Sequence, residues 1–201
     1  MIRVLVADDQ ALVRGALAAM LALERDIEVV AQAGSGAEAL REALRTTPDV
    51  ALIDVQMPDG DGLAVTAELR AALPACRVVI CTTYGRPGYF TRAMGAGAAG
   101  FVVKDALPEQ LIDAVRRVHA GLRVVDPALA AESLASGASP FTEREREALR
   151  AAAGGASAVQ IARTLHLSHG TVRNHLSSAI GKTGAGTRAE ALRIAEANGW
   201  L

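Results

Sequence analysis

The sequence is poor in lysine, cysteine and long apolar runs. Of its 21 basic residues only two are lysines, Lys104 and Lys182, so an ammonium group is placed rarely. The two cysteines, Cys76 and Cys81, are expected in a turn and inside a strand. That excludes a disulfide framework and a Cys-x-x-Cys site and leaves two incidental thiols. The four histidines, His119, His166, His169 and His175, share no metal-ligand spacing, which excludes a zinc site. No charge-free run reaches the length of a membrane span. The opening MIRVLVADD meets an acid at position 8 and lacks the shape of a signal peptide. The expectation is a cytoplasmic protein with no membrane partner.

What is present suggests two modules. A chain of 201 residues, 51% of them hydrophobic, has ample material for one large core or two small ones. The net charge of −1 hides an asymmetry. Residues 1–120 hold 12 Arg/Lys against 15 Asp/Glu, a net of −3, whereas residues 140–201 hold 8 against 5, a net of +3. An acidic front and a basic back fit two domains, the second suited to an anionic partner.

Over residues 1–120 short apolar strands alternate with amphipathic helices. Strands are expected at Val4–Ala7, Val29–Ala33, Val50–Ile53, Arg77–Cys81 and Gly100–Val103, with helices near 11–23, 36–46, 61–72, 87–96 and 107–120. Five strand–helix repeats predict a parallel sheet covered on both faces, with ligands beyond the carboxyl ends of the strands. Residues 121–139 are rich in small residues and read as a linker with one weak helical turn. From Pro140 onward the pattern is all helical. Thr142-x-x-Glu145, Ser157-x-x-Gln160 and Thr187-x-x-Glu190 fit capping boxes, and Ser168 is a plausible further cap. Four short helices follow, with the terminal Trp200 expected as a core anchor.

The stretch ALIDVQMPDGDGL (residues 51–63) runs a buried strand into a carboxylate, Asp54, which is costly unless the charge is paired. Asp8 and Asp9 follow the first strand, Thr82 ends the fourth and Lys104 ends the fifth. In a parallel sheet these ends share one edge, so three carboxylates, a hydroxyl and an ammonium converge. Adjacent carboxylates repel unless a cation intervenes. Oxygen ligands without thiols suit Mg²⁺, and a carboxylate is a competent nucleophile for an aspartyl-phosphate.

The set Asp8-Asp9, Asp54 with Met57-Pro58-x-Gly60-x-Gly62, Thr82, and Gly100-Phe101-x-x-Lys104 resembles the receiver domain of two-component response regulators. The resemblance implies an α/β receiver with a five-stranded parallel sheet of flavodoxin-like order 2-1-3-4-5. It implies that Asp54 accepts a phosphoryl group from a sensor histidine kinase. Asp8, Asp9, Asp54 and the Gln56 backbone carbonyl would hold Mg²⁺, and Lys104 and Thr82 would meet the phosphoryl oxygens. Phe101 would be the switch aromatic, turning inward as Thr82 moves, and Gln56 and Tyr84 would tune hydrolysis. Self-catalysed phosphotransfer and dephosphorylation are the expected limit of any enzymatic activity. Two other readings compete with this one. Gly34-Ser35-Gly36-Ala37-Glu38-Ala39 fits much of a dinucleotide fingerprint, yet Ser35-x-x-Glu38 is also a capping box and explains the stretch without a ligand. A haloacid-dehalogenase-like phosphatase would want Asp-x-Asp where this chain has Asp8-Asp9.

Residues 157–182 read as helix, turn, helix. Arg and Asn on the second helix suit bidentate reading of guanine and adenine, although a plain helical bundle also exposes such residues. The words Phe141-Thr142-x-Arg144-Glu145, Ile161-Ala162-x-x-Leu165 and Ser168-x-Gly170-Thr171-Val172-Arg173-Asn174-His175 resemble the LuxR-type effector domain. That resemblance implies base contacts to double-stranded DNA from Arg173, Asn174 and Ser177, with Thr171, His175 and Lys182 supporting or touching its phosphate backbone. Thr183 and Gly181 depart from the family pattern and are expected to loosen the end of the reading helix. Together the halves resemble a response regulator of the NarL/FixJ class: receiver 1–120, linker 121–139 and a four-helix helix-turn-helix domain 140–201, forming a homodimer on phosphorylation. A regulator that binds DNA without phosphorylation is the remaining alternative, which the intact acidic cluster opposes.

Overall fold

Apolar runs too short for helices, rich in β-branched residues, alternate with amphipathic stretches, and the local structure follows that alternation. The computed structural model describes residues 1–201 apart from 59, 84, 86 and 136–138. Expectations placed on Tyr84, and on the Ser136-Gly137 part of the linker, therefore lie outside the described residues. In chain order the elements are β1 (Ile2–Ala7), α1 (Ala11–Ala22), β2 (Ile27–Ala33), α2 (Gly36–Thr46), β3 (Val50–Ile53), β4 (Gln56–Met57) and β5 (Gly60–Asp61). Then come α3 (Gly62–Ala72), β6 (Arg77–Thr82), α4 (Pro87–Gly95), β7 (Gly100–Val103), α5 (Pro108–His119) and α6 (Pro127–Ala135). The chain ends with α7 (Glu143–Ala152), α8 (Ala158–Thr164), α9 (His169–Thr183) and α10 (Arg188–Ala197). Two units emerge, residues 1–85 with 90–130, and residues 86–89 with 131–201.

In the first unit five parallel strands lie in the order β2-β1-β3-β6-β7, the expected 2-1-3-4-5 when only this sheet is counted. β3 is buried along its whole length, as a central parallel strand must be with helices on both faces. Val4, Val6, Val50, Leu52 and Val79 join Leu111, Val115 and Val118 of α5 in one core cluster. Register then positions the functional ends. Ala7 pairs with Ile53, so the next residues, Asp8 and Asp54, leave the sheet side by side. Thr82 pairs with Val103, and the Lys104 amide donates to the Thr82 carbonyl at 2.8 Å. Cys76 and Cys81 are free and buried, and burial pushes their thiols up to about 11 and about 12.

Two features exceed the sequence expectation. β4 and β5 pair as a small antiparallel hairpin directly after Asp54, where only a loop was expected. The segment after α5 is more ordered than a linker with one helical turn. Val124 bridges to Gly100 at the sheet edge, its carbonyl accepting from the Phe101 amide at 2.9 Å. α6 is nine residues long. Its start has a physical cause: Asp126 accepts from the Leu129 amide at 3.1 Å, Pro127 opens the first turn, and Leu129 is buried.

In the second unit α7 to α10 surround Phe141, Leu149, Ile161, Val172, Leu176 and Ala195. Trp200 packs on Phe141 edge to face, with ring centroids 5.8 Å apart, as a core anchor would. Thr142 and Ser157 form complete capping boxes. The expected boxes at Thr187 and Ser35 are split. Each hydroxyl accepts from the third helical amide, but Glu190 and Glu38 accept from Gly186 and Gly34, the residues before the caps. The split accompanies a more extended cap, with φ −140° and −152° against −70° at Thr142 and Ser157. Glu38 and Ser35 thereby satisfy the Gly34 and Glu38 amides internally, which accounts for the capping role of that stretch without a nucleotide. α9 runs unbroken through Gly181 to Thr183, whose hydroxyl donates to the Ala179 and Ile180 carbonyls, so the expected loosening is not seen.

The turn between α8 and α9 contains a misfit. His166 sits at φ 54°, closing α8 in a Schellman arrangement: the Leu167 amide donates to the Ala162 carbonyl and the His166 amide to the Arg163 carbonyl. The same arrangement ends α9, where Gly184 takes the left-handed position at φ 66°. An L side chain there costs about 1–2 kcal/mol. His166→Gly should therefore raise the stability of this unit by about 0.5–1 kcal/mol after the entropy cost of glycine. A higher urea midpoint at unchanged slope is the expected reading; a lower midpoint would show that the His166 side chain makes a compensating contact.

Candidate functional site

The first site is assembled at the carboxyl ends of β1, β3, β6 and β7. Asp54 is 4% exposed, its amide donating to the Ala7 carbonyl at 2.9 Å and its carboxylate accepting from the Gln56 amide. Asp8 is 1% exposed and its Oδ1 accepts from the Gln10 amide at 2.9 Å. Asp9 is exposed at the mouth of the site. Lys104 Nζ lies 2.7 Å from Asp8 Oδ2 and 2.8 Å from Asp54 Oδ2. Thr82 is buried at the end of β6. Phe101 is also buried, meeting Phe90 edge to face at 5.8 Å.

Burial pushes the Asp54 carboxyl above its ordinary range; Lys104 opposes the rise and Asp8 adds to it. Burial works against the Lys104 ammonium, yet its hydrogen bonds to Asp54 and Asp8 outweigh it and hold the group above its ordinary value. The site is thus a buried, cation-demanding pocket of oxygens. Asp8, Asp9 and Asp54 each offer a carboxylate oxygen within 4.8 Å of the others. An all-oxygen set that already draws one ammonium fits a hard divalent cation.

Three further residues shape the site and were not read as part of it. Arg14 on α1 donates from Nη1 to the Asp8 carbonyl at 2.6 Å, tying the helix to the acidic turn. Gly62, marked in the sequence only as the last residue of the Met57-Pro58-x-Gly60-x-Gly62 run, packs directly on the Asp54 carbonyl, and a Cβ there would lie 1.9 Å from that oxygen. Asp61 caps α3 through the Leu63 amide and pairs with Arg92 of α4. The dense glycine spacing was the only sequence signal for these contacts; the arginines left none.

The second site is the surface of α9. Ser168 caps this helix, accepting from the Thr171 amide at 3.0 Å and bonding the Thr171 hydroxyl at 2.8 Å. Val172, Leu176 and Ala179 face the core, which leaves Arg173, Asn174 and Ser177 exposed together. Thr171 and His175 are half-buried beside them. Lys182, expected to support or touch the DNA backbone, is set against α7. Its Nζ contacts Glu145 Oε2 at 2.7 Å, and Ser178 donates to Glu145 Oε1 at 2.6 Å. Burial opposes ionisation of Glu145, but Lys182, Ser178 and the Thr142 amide outweigh it and hold the carboxyl down at about 2.

Known proteins match both units. Residues 4–116 match the response regulator receiver domain, and residues 139–195 match the bacterial regulatory proteins of the luxR family. The chain is 44% identical to the uncharacterized transcriptional regulatory protein YvfU of Bacillus subtilis (strain 168) over 100% of both chains. It is 40% identical, again over 100% of both, to the transcriptional regulatory protein DesR of the same organism. Among solved structures, the response regulator ChrA of a heme-sensing two-component system superposes with a TM-score of 0.59 at 33% identity, covering 100% of this chain and 98% of that one. The chain belongs to the LuxR-type response regulators, two-component transcription regulators that join a receiver to a DNA-binding domain. It is a transcription regulator and not a classical enzyme, which removes the phosphatase reading. Among the described residues no helix is long and apolar enough to cross a membrane.

Proposed function

We propose that the chain takes a phosphoryl group from a phosphohistidine of a sensor histidine kinase onto Asp54, and that the phosphorylated form binds promoter DNA as a homodimer. One observation carries this reading: a buried carboxylate at the end of a central strand, beside Asp8 and Asp9 and 2.8 Å from the Lys104 ammonium. In the transfer an Asp54 oxygen attacks phosphorus, the P–N bond breaks, and its electron pair and a proton go to the departing imidazole. Lys104, drawn from the Asp54 carboxylate to the phosphoryl oxygens, would carry positive charge to where negative charge arrives. Asp8, Asp9, Asp54 and the Gln56 carbonyl are the groups that would hold Mg²⁺. Bound there, Mg²⁺ supplies charge neutralisation for carboxylates and phosphoryl oxygens alike. The Thr82 hydroxyl would bond a phosphoryl oxygen. Arg14 and Gly62 hold the Asp8 and Asp54 backbones in place.

The DNA-facing groups in this reading are Arg173, Asn174 and Ser177 for bases, with Thr171 and His175 beside the backbone. A two-fold dimer would set two α9 helices about one DNA turn apart. Leu12 of α1 and Leu107 at the start of α5, 86% and 63% exposed, support a receiver contact through those helices. α10 is the family's candidate in the other domain. A cytoplasmic location follows from this chemistry.

The test is treatment of wild type and Asp54→Ala with acetyl phosphate and Mg²⁺, following mass, oligomer size and DNA binding. Wild type should gain one phosphoryl group, enlarge and bind DNA more tightly, and the variant should do none of these. Phosphate gained by the variant would remove Asp54 as acceptor. Modified wild type unchanged in assembly and DNA affinity would favour a regulator that works without phosphorylation.

A further inference from the structure

The chain has two ammonium groups, and the structure sets both against carboxylates. Lys104 serves the receiver site. Lys182, on the last turn of α9, contacts Glu145 Oε2 at 2.7 Å, 37 residues away in sequence. Glu145 is itself 4% exposed and accepts two further bonds, from the Thr142 amide at 2.7 Å, which completes the capping box of α7, and from Ser178 at 2.6 Å. Ser178 and Lys182 are four residues apart and share one side of α9. Ser177, one residue earlier, is exposed like Arg173, Asn174 and Ser178 itself. One carboxylate therefore grips the C-terminal half of α9 at two points while anchored to the cap of α7.

We infer that Glu145, Ser178 and Lys182 form a clamp that sets the pose of α9 for DNA reading, and that Lys182 is a positioning residue and not a phosphate contact. This rests on the DNA-binding reading above. An ammonium in contact with a carboxylate presents almost no net charge to a phosphate, and only a third of the Lys182 side chain is open to solvent. Arg173, the other cation of α9, is exposed beside Asn174 and Ser177. The clamp acts through helix orientation, because a rotation of α9 at its far end displaces the Arg173, Asn174 and Ser177 side chains together.

Salt dependence separates the two roles. Each phosphate contact contributes about −0.9 to the slope of log K against log salt. The experiment uses the full-length chain, treated with acetyl phosphate and Mg²⁺, and duplexes that it enriches from a random-sequence DNA pool. Trp200 fluorescence confirms that Lys182→Met, Glu145→Gln and the double variant are folded at the assay temperature. Each single variant should bind about tenfold more weakly with the wild-type salt slope, and the double variant should be no weaker than either single one, since the residues act as a unit. A slope shallower by about 0.9 in Lys182→Met would make Lys182 a phosphate contact and overturn the inference. Folded variants with wild-type affinity would reduce the clamp to a purely structural role and overturn it too. A pool that yields no bound duplex would instead remove the DNA-binding reading itself. Lys182→Met keeps the test decisive if Glu145→Gln does not fold.

Discussion

Lys104→Met should destabilise the receiver unit by about 3 kcal/mol at neutral pH, because it leaves two buried carboxylates facing each other without their cation. The loss should depend on pH in a definite direction. Asp54 already titrates above its ordinary 3.8, driven up by burial and held back by Lys104. Removing Lys104 raises it further. A carboxyl whose folded value exceeds its unfolded one binds more protons in the folded state, so stability falls as pH rises from 3.8 through the folded value. Urea unfolding should therefore find the variant nearest to wild type around pH 4 and furthest from it at pH 7. Mg²⁺ at pH 7 should return part of the loss by neutralising the same oxygens. A deficit equal at both pH values, and indifferent to Mg²⁺, would mean that Lys104 contributes packing alone.

Gly62→Ala should be as damaging for a different reason. A Cβ at this position would stand 1.9 Å from the Asp54 carbonyl oxygen, 2.9 Å from its carbon and 3.1 Å from the Val55 Cα. All three are backbone atoms, so no side chain can swing away. The Gly62 amide also donates to the Val55 carbonyl at 2.8 Å, which fixes the separation from the other side. Relief requires the Asp54–Val55 backbone or the start of α3 to move. Overpacking of this kind costs about 3 kcal/mol. It also shifts Asp54, the proposed acceptor, so phosphorylation by acetyl phosphate should fall about a hundredfold even where the chain remains folded. Wild-type stability and phosphorylation rate together would show that the loop is softer than its geometry implies.

These two sites differ in how far they could be read from the chain. Asp8, Asp9, Asp54, Thr82 and Lys104 were legible because a parallel sheet sends every strand end to one edge, and the apolar runs mark where the strands stop. Strand and helix limits agreed to within one or two residues for the same reason: periodicity and caps are local. The contacts around the site were less accessible. Arg14 reaches a backbone carbonyl, which any residue supplies, and Gly62 is constrained by an approach of main chain to main chain. The β4–β5 hairpin is two residues a side, too short to leave a period. His166 takes a left-handed conformation that sequence pattern assigns to glycine.

Lysine shows the division between the two levels. Its rarity alone marked Lys104 and Lys182 as placed charges, and for Lys104 the strand pattern supplied the partner. For Lys182 it did not. A basic residue near the end of a DNA-reading helix looks from sequence like a phosphate contact, and Thr142-x-x-Glu145 looks like a helix cap and no more. The cap is real, but the same carboxylate reaches across to α9. The sequence by itself determined the five strand–helix repeats, the convergence of Asp8, Asp9, Asp54, Thr82 and Lys104, and the exposed face of α9, since each follows from local periodicity and strand ends; the sheet order came with the receiver resemblance. Only the tertiary structure decided that Lys182 pairs with Glu145. That choice depends on how α7 packs against α9, and pairing across 37 residues leaves no mark in either helix's own pattern.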